Sequence, residues 1–139
     1  MALIPVCPKC DKPMVTLEWQ ETEIDLCLQC RGIWFDAGEL ESIAGQTEEQ
    51  KDWFRDLSDA PSLRAQAGVK RLCPRCNRPL ISFAVKGAEG TVLTLDRCEH
   101  GHGYWFDGGE LASYLKGHTV DDQNASERLK RFLREIMGE

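Results

Sequence analysis

Two stretches of the sequence decide the fold: CLQCRGIWFDAGEL at residues 27–40 and CEHGHGYWFDGGEL at residues 98–111. Both begin with a cysteine, and both contain the run W-F-D-x-G-E-L. The first stretch has a second cysteine, Cys30, where the second stretch has a glycine between two histidines. The second stretch therefore needs a different residue to do what Cys30 does in the first.

Two further blocks repeat in the same order along the chain. VCPKCDKPM at residues 6–14 matches LCPRCNRPL at residues 72–80, and EIDLC at residues 23–27 matches TLDRC at residues 94–98. Repetition at a fixed spacing is typical of a duplicated structural unit. The three matching blocks predict a tandem duplication of a unit of about 40–45 residues.

Each unit has the pattern of a β-hairpin followed by a short helix. Apolar and polar residues alternate in two short runs, as in a half-buried hairpin. Asp36 and Asp107 resemble N-caps, and each has a glutamate three residues later. We expect four segments: a first unit at 1–46, a helical connector at 47–69, a second unit at 70–118 and a C-terminal amphipathic helix at 119–139. The expected fold class is small, metal-stabilised α+β.

The composition predicts a folded protein of the reducing cytoplasm. The 139 residues are 42% hydrophobic, and no apolar run reaches the ~18 residues that span a bilayer. Residues 1–6 are too short and uncharged for a signal peptide. The net charge is −6, with −5 on residues 1–46 and +2 on residues 70–118. This balance argues against a protein that only binds DNA.

Seven cysteines fall into three C-x2-C pairs and one single residue, a pattern of metal ligands in a reduced compartment. The first predicted site consists of Cys7, Cys10, Cys27 and Cys30. The second predicted site consists of Cys73, Cys76, Cys98 and His102. The C-x3-H spacing from Cys98 gives the chain more room to turn back than C-x-H, which favours His102. His100 is the alternative ligand.

The ligand set favours zinc, two ions per chain. Cysteine pairs on hairpins also hold iron, as in a rubredoxin-like electron carrier, but three thiolates and an imidazole suit zinc better. Units this small bury too little apolar surface to fold unaided, and structural zinc supplies the missing stability. A site with four protein ligands has no open position for water, so we expect no catalysis.

These motifs resemble the transcription factor IIB-like zinc-finger domain, a zinc ribbon common in bacterial proteins. The resemblance rests on C-P-x-C, a hairpin and C-x2-C-x-G-I-W-F-D-x-G-E-L, and covers residues 6–45 and 72–117. In that family a histidine just before G-x-W can replace the fourth cysteine, which supports His102. The resemblance implies two tandem zinc ribbons and a role in transcription.

Two functions remain open on the sequence. The first is a non-enzymatic scaffold for binding another protein, with the terminal helix docking on the body or forming a homodimer. The second is nucleic-acid binding through the basic second unit, where the candidate contacts are Lys70, Arg71, Arg75 and Arg78. No membrane partner is expected.

Overall fold

The computed structural model of the chain describes residues 4–19, 21–40, 57, 59–63, 71–87, 90–111, 113–114, 131 and 134–135. These residues form a six-stranded antiparallel sheet in the order β1-β2-β3-β6-β5-β4. Its strands are β1 (Val15–Trp19), β2 (Thr22–Leu26), β3 (Ile33–Asp36), β4 (Ile81–Lys86), β5 (Val92–Arg97) and β6 (Gly103–Phe106). The first three strands belong to the first unit and the last three to the second.

The two units meet through their third strands, which pair at the centre of the sheet. Trp34 pairs with Trp105, its own counterpart in the other unit. Ile33 pairs with Phe106, and Phe35 pairs with Tyr104, so the register is the same viewed from either unit. An approximate two-fold axis therefore passes through the pair of tryptophans and relates one unit to the other.

Alternation along the strands gives the sheet two different faces. One face carries the larger apolar core, in which Phe35 and Phe106 meet edge to face with ring centroids 5.8 Å apart. Buried Leu40, Leu111 and Tyr114 pack into the same core. The other face carries Trp34 and Trp105 in a second cluster, together with the cysteines. The cysteine groups thus lie on the face opposite the larger core.

The predicted α+β class is wrong. The described part is mostly antiparallel sheet, and no helix is among its elements. The W-F runs were expected only to precede a helix, but Ile-Trp-Phe and Tyr-Trp-Phe form third strands because bulky apolar side chains are buried on both faces. Of the described residues that follow these two strands directly, Glu39–Leu40, Glu110–Leu111 and Ser113–Tyr114 have helical backbone.

The connecting helix and the C-terminal helix are part of the same wrong prediction. Neither is among the elements of the described part, and most residues of 47–69 and 119–139 lie outside it. From the connector, Ser62 forms a β-bridge with Phe83 on the outer edge of β4. From the C-terminal segment, Glu135 accepts a hydrogen bond from Trp19 Nε1 at 2.8 Å. In the described part no helix has the length and apolar character needed to cross a bilayer.

Candidate metal centres

Three of the four cysteine loops share one backbone geometry. In the loop at Cys7, the Cys7 N–H donates to the Lys12 carbonyl at 2.8 Å, and the Asp11 N–H donates to the Cys7 carbonyl at 2.9 Å. Asp11 is left-handed, with φ at 60°. The loops at Cys27 and Cys73 have equivalent bonds and left-handed residues, namely Arg31 (φ 65°) and Asn77 (φ 62°). In all three loops the residue four positions after the first cysteine makes the turn.

The loop at Cys98 turns one residue earlier. Its inner bond runs from the Gly101 N–H to the Cys98 carbonyl at 3.1 Å, and Gly101 is the left-handed residue, with φ at 79°. The outer bond, from the Cys98 N–H to the Gly103 carbonyl at 3.1 Å, matches the other loops. The early turn suits glycine, which adopts positive φ without steric cost. It also frees His102, the next residue, to point toward the cysteines.

The first group has the dimensions of a tetrahedral metal site. The four sulfur atoms of Cys7, Cys10, Cys27 and Cys30 lie within 4.8 Å of one another. Cys7 Sγ and Cys30 Sγ are 3.7 Å apart, and zinc–sulfur bonds of ~2.3 Å in a tetrahedron separate sulfurs by ~3.8 Å. A disulfide would need ~2.05 Å, and all seven cysteines are free thiols. We call this group the first site.

The second group joins three sulfurs to an imidazole nitrogen: Cys73, Cys76, Cys98 and His102. Cys76 Sγ and Cys98 Sγ are 3.7 Å apart. His102 Nδ1 lies 3.1 Å from Cys98 Sγ and 4.0 Å from Cys73 Sγ. These separations bracket the ~3.6 Å expected between nitrogen and sulfur ligands of one zinc ion. We call this group the second site.

The structure separates the two candidate histidines. His102 joins the second site, whereas His100 Nε2 lies 2.7 Å from the Arg78 guanidinium and outside the group. The His100 and His102 rings are 6.5 Å apart between centroids. The residue that stands in for the missing cysteine is therefore displaced by one position along the sequence, because the turn of the loop is displaced too.

Comparison with known families agrees with this geometry. Residues 6–45 match the family described as Transcription factor zinc-finger, a zinc ribbon. We call the first unit, which this match covers, the zinc ribbon. The match ends before the second unit, whose own ligand group is consistent with a zinc-ribbon protein. A search of curated proteins and a search of solved structures found no significant match.

In the zinc ribbon and in the second unit, backbone amides point at the sulfurs. Cys10 N–H donates to Cys7 Sγ at 3.2 Å, and Arg75 N–H donates to Cys73 Sγ at 3.3 Å. Amide donors stabilise thiolates, the form that binds metal, but at Cys7 and Cys73 burial outweighs them and raises the pKa. Burial raises the pKa of Cys27, but hydrogen bonds from the backbone amides of Cys30 and Gln29 outweigh burial and lower it to about 7. A bond from the Arg78 backbone likewise lowers the pKa of Cys76 to about 7.

The carboxylates of the W-F-D-x-G-E motif have structural partners in both units. In the zinc ribbon, Asp36 Oδ1 accepts a bond from Trp34 Nε1 at 2.8 Å, and the Asp36 N–H donates to Glu39 at 2.8 Å. Asp107 has the same two bonds, with Trp105 and Glu110, at the same distances. Because these bonds fix the tryptophans and the turn after the third strand, they give the motif a structural task.

A buried aspartate in each second strand was missed by sequence reasoning. Asp25 accepts from Thr16 Oγ1 at 2.6 Å, and Asp96 accepts from Ser82 Oγ at 2.7 Å. Burial raises the pKa of both carboxyls. The available signal was the aspartate at the same position of EIDLC and TLDRC, within runs that alternate apolar residues.

The predicted basic patch is largely engaged within the molecule. Arg71 lies 3.0 Å from both Asp96 and Asp107. Arg75 lies 2.7 Å from both Asp25 and Asp36, which belong to the zinc ribbon. Arg78 contacts His100 in its own unit, and Lys70 lies outside the described residues.

Proposed function

We propose that this chain is a non-enzymatic zinc protein, in which two structural zinc ions hold a scaffold that binds another protein. The proposal depends chiefly on the two closed four-ligand groups, in which paired sulfurs are 3.7 Å apart. Four protein ligands complete a tetrahedral shell and leave no position for water or a substrate. Bound there, zinc supplies stability to a small domain.

Zinc fits these residues better than iron. Thiolate and imidazole ligands together are a common structural zinc set, whereas a rubredoxin-like iron site uses four thiolates. His102 in the second site therefore favours zinc over electron transfer. Free thiols throughout also suit the reducing cytoplasm, where we place the protein.

The pairing of the arginines favours a protein partner over nucleic acid. Arg71 and Arg75 each contact two aspartates, so a phosphate would have to compete with these carboxylates. The net charge of −6 also opposes a polyanion. Both observations argue against nucleic acid as the partner.

Exposed apolar side chains near the first site support a protein contact. Leu28, inside the loop from Cys27 to Cys30, is 61% exposed, and Ile4 is 68% exposed. The residue equivalent to Leu28 in the second unit is Glu99. Exposed apolar side chains fit the buried centre of a protein interface better than they fit contact with nucleic acid.

Metal analysis of the purified chain tests the zinc assignment. We expect two zinc ions per chain, and one ion in a Cys98→Ser, His102→Ala variant that keeps the first site. His100 lies outside the ligand group, so a His100→Ala variant serves as the control and should keep both ions. Iron in place of zinc, or fewer than two ions in the wild type, would contradict the assignment.

Partner capture and nucleic-acid binding distinguish the two functions. Proteins recovered from native lysate with the zinc-loaded chain should be lost with Leu28→Glu and retained with Val92→Glu, a change at an exposed apolar residue of the second unit. Filter binding with DNA and RNA at low salt should show no retention. Salt-sensitive retention that Arg78→Ala weakens would favour nucleic acid instead.

A further inference from the structure

The second ligand loop of each unit, at Cys27 and at Cys98, contacts the opposite unit at its last ligand. The Ala37 N–H of the zinc ribbon donates to the carbonyl of His102 at 2.9 Å. On the other side of the two-fold axis, Gly108 packs so closely on the Cys30 carbonyl that a Cβ would collide with it. The final ligand of each site is therefore held in place by the turn that follows the third strand of the other unit.

The central tryptophans cross in the same manner. The Trp105 ring packs against Gly32, beside the first site, leaving no room for a Cβ there. The Trp34 ring packs against Gly103, beside the second site, where an added Cβ would lie 2.8 Å from its Cζ2. Both rings are fully buried, in one cluster with cysteines of both sites.

Arg75 adds a charged connection that starts between two ligands of the second site. It lies in the loop from Cys73 to Cys76, and its backbone N–H bonds the Cys73 sulfur. Its guanidinium makes two bonds of 2.7 Å to Asp36 and one of 2.7 Å to Asp25, both in the zinc ribbon. Asp25 is only 2% exposed, so loss of Arg75 leaves a buried carboxylate without its cation.

We propose that the two metal sites bind zinc cooperatively, and that Arg75 carries part of the coupling. Zinc at the second site fixes the loop that presents Arg75, and fixes the His102 carbonyl and Trp105. These groups contact Ala37, Gly32 and the aspartates of the zinc ribbon, so the first site is ordered before its own ion arrives. By linkage, zinc at the first site favours zinc at the second to the same degree.

The inference depends on the proposed zinc function. Native mass spectrometry tests cooperativity and zinc binding separately. Apo chain in a reducing buffer is titrated with Zn²⁺, and the chains carrying zero, one and two ions are counted. Independent sites, equal or unequal, bring the singly loaded form to at least about half of all chains at its maximum. Coupling of about tenfold between similar sites lowers that maximum to about a quarter.

Substitutions in the second-site loop test the role of Arg75. Arg75→Ala keeps all eight ligands and should raise the singly loaded maximum toward half. Arg75→Lys keeps the charge without the paired bonds, so it should give an intermediate value and remains informative if the alanine variant does not fold. Arg78→Ala is the matched control, because Arg78 contacts His100 in its own unit, and it should leave the maximum unchanged.

Each outcome decides between the two proposals. A wild-type maximum of half or more that Arg75→Ala does not raise overturns the cooperativity, while two bound zinc ions keep the proposed function. Equal maxima for Arg75→Ala and Arg78→Ala overturn the role of Arg75. Failure of the wild-type chain to bind zinc at all removes the proposed function itself.

Discussion

The zinc ribbon and the second unit build the same site by two routes. In the zinc ribbon the loop at Cys27 turns at Arg31, and Cys30 supplies the fourth ligand. In the second unit the loop turns one residue earlier, at Gly101, and His102 supplies it. The position of the left-handed residue thus selects which side chain joins the ligand group, and a longer side chain is accommodated by a shifted turn.

The units also differ in how their buried aspartates are neutralised. Asp96 receives Arg71 from its own unit, whereas Asp25 receives Arg75 from the second unit. The zinc ribbon therefore depends on the second unit for a cation, and no described contact shows a matching dependence of Asp96 on the zinc ribbon. The two halves are alike in sequence but not interchangeable.

Metal removal should have the largest effect, and should abolish the difference between the units. A structural zinc contributes ~10–16 kcal/mol in small domains, as much as or more than the whole stability of a typical domain. We expect a strong chelator to unfold the chain, with loss of the β signal in far-ultraviolet circular dichroism. Zn²⁺ should restore the signal and Mg²⁺ should not. A spectrum unchanged after complete metal removal would contradict this prediction.

Alanine at the two glycines beside the tryptophans should destabilise the chain more in the second unit than in the zinc ribbon. At Gly103 an added Cβ collides with the Phe35 carbonyl, and at Gly32 it collides mainly with the Trp105 side chain. Because backbone yields less than a side chain, we expect losses in the free energy of unfolding of ~3 kcal/mol or more at Gly103 and ~1–3 kcal/mol at Gly32.

Gly90→Ala is the control for these two variants, measured by chemical denaturation of the zinc-loaded chain. Gly90 also has positive φ (77°), but a Cβ added there would meet no atom within 4 Å, so its cost is conformational only. A loss at Gly90 as large as that at Gly103 would show that backbone conformation, rather than packing between the units, dominates.

Arg71→Ala should destabilise the chain by ~2 kcal/mol, because it leaves the carboxylate of Asp96 buried and without its cation. Partial exposure of Arg71, 25% for its side chain, reduces the effect below that of a fully buried pair. Arg78→Ala should change the free energy of unfolding by less than ~0.5 kcal/mol. Equal losses in urea denaturation would mean that the Arg71 pairs contribute nothing specific.

The smallest expected effect depends on pH and should be alike in the two units. Burial raises the pKa of Glu39 and of Glu110 from 4.5 to about 7. Each protonated carboxyl thus adds stability that is fully present below pH ~4.5 and is lost as the pH rises through ~7. Glutamine stays neutral at every pH. As the pH rises from ~4.5 to above ~7, the free energy of unfolding of Glu39→Gln and of Glu110→Gln should therefore increase by ~1 kcal/mol relative to wild type.

Unfolding of each glutamine variant beside the wild type, at pH 5 and pH 8, measures that gain. The comparison cancels the pH dependence of zinc binding, which both chains share. Glu21→Gln, at an exposed turn position, is the control and should show no such gain. A constant difference between variant and wild type at both values would contradict the predicted proton uptake.

The ligand groups were accessible from the sequence because spacing alone brings the cysteines together. Each C-x2-C pair forms a tight loop, and the hairpin between pairs returns the chain to its start. The sequence could only favour His102 over His100 as the fourth ligand, because the C-x3-H and C-x-H spacings from Cys98 both fit the repeat. The shift of the left-handed turn to Gly101, which separates them, is a backbone property that the repeat alignment does not contain.

The fold class could not be obtained in the same way. Ile33–Asp36 and Gly103–Phe106 are four residues long, too short for alternation to distinguish a strand from the approach to a helix. Their pairing joins residues far apart in sequence, and local patterns do not report such contacts. The inward direction of Arg71 and Arg75 was hidden for the same reason, because their aspartate partners are distant in the chain.

The central strand pair has a consequence for synthesis of the protein on the ribosome. Strand β3 ends at Asp36, but its partner β6 is complete only at Phe106, about 70 residues later. At ~5–20 residues per second, the nascent first half waits ~4–14 s with an apolar strand edge unpaired. During that interval two neighbouring nascent chains can join through the surface that later closes within one chain.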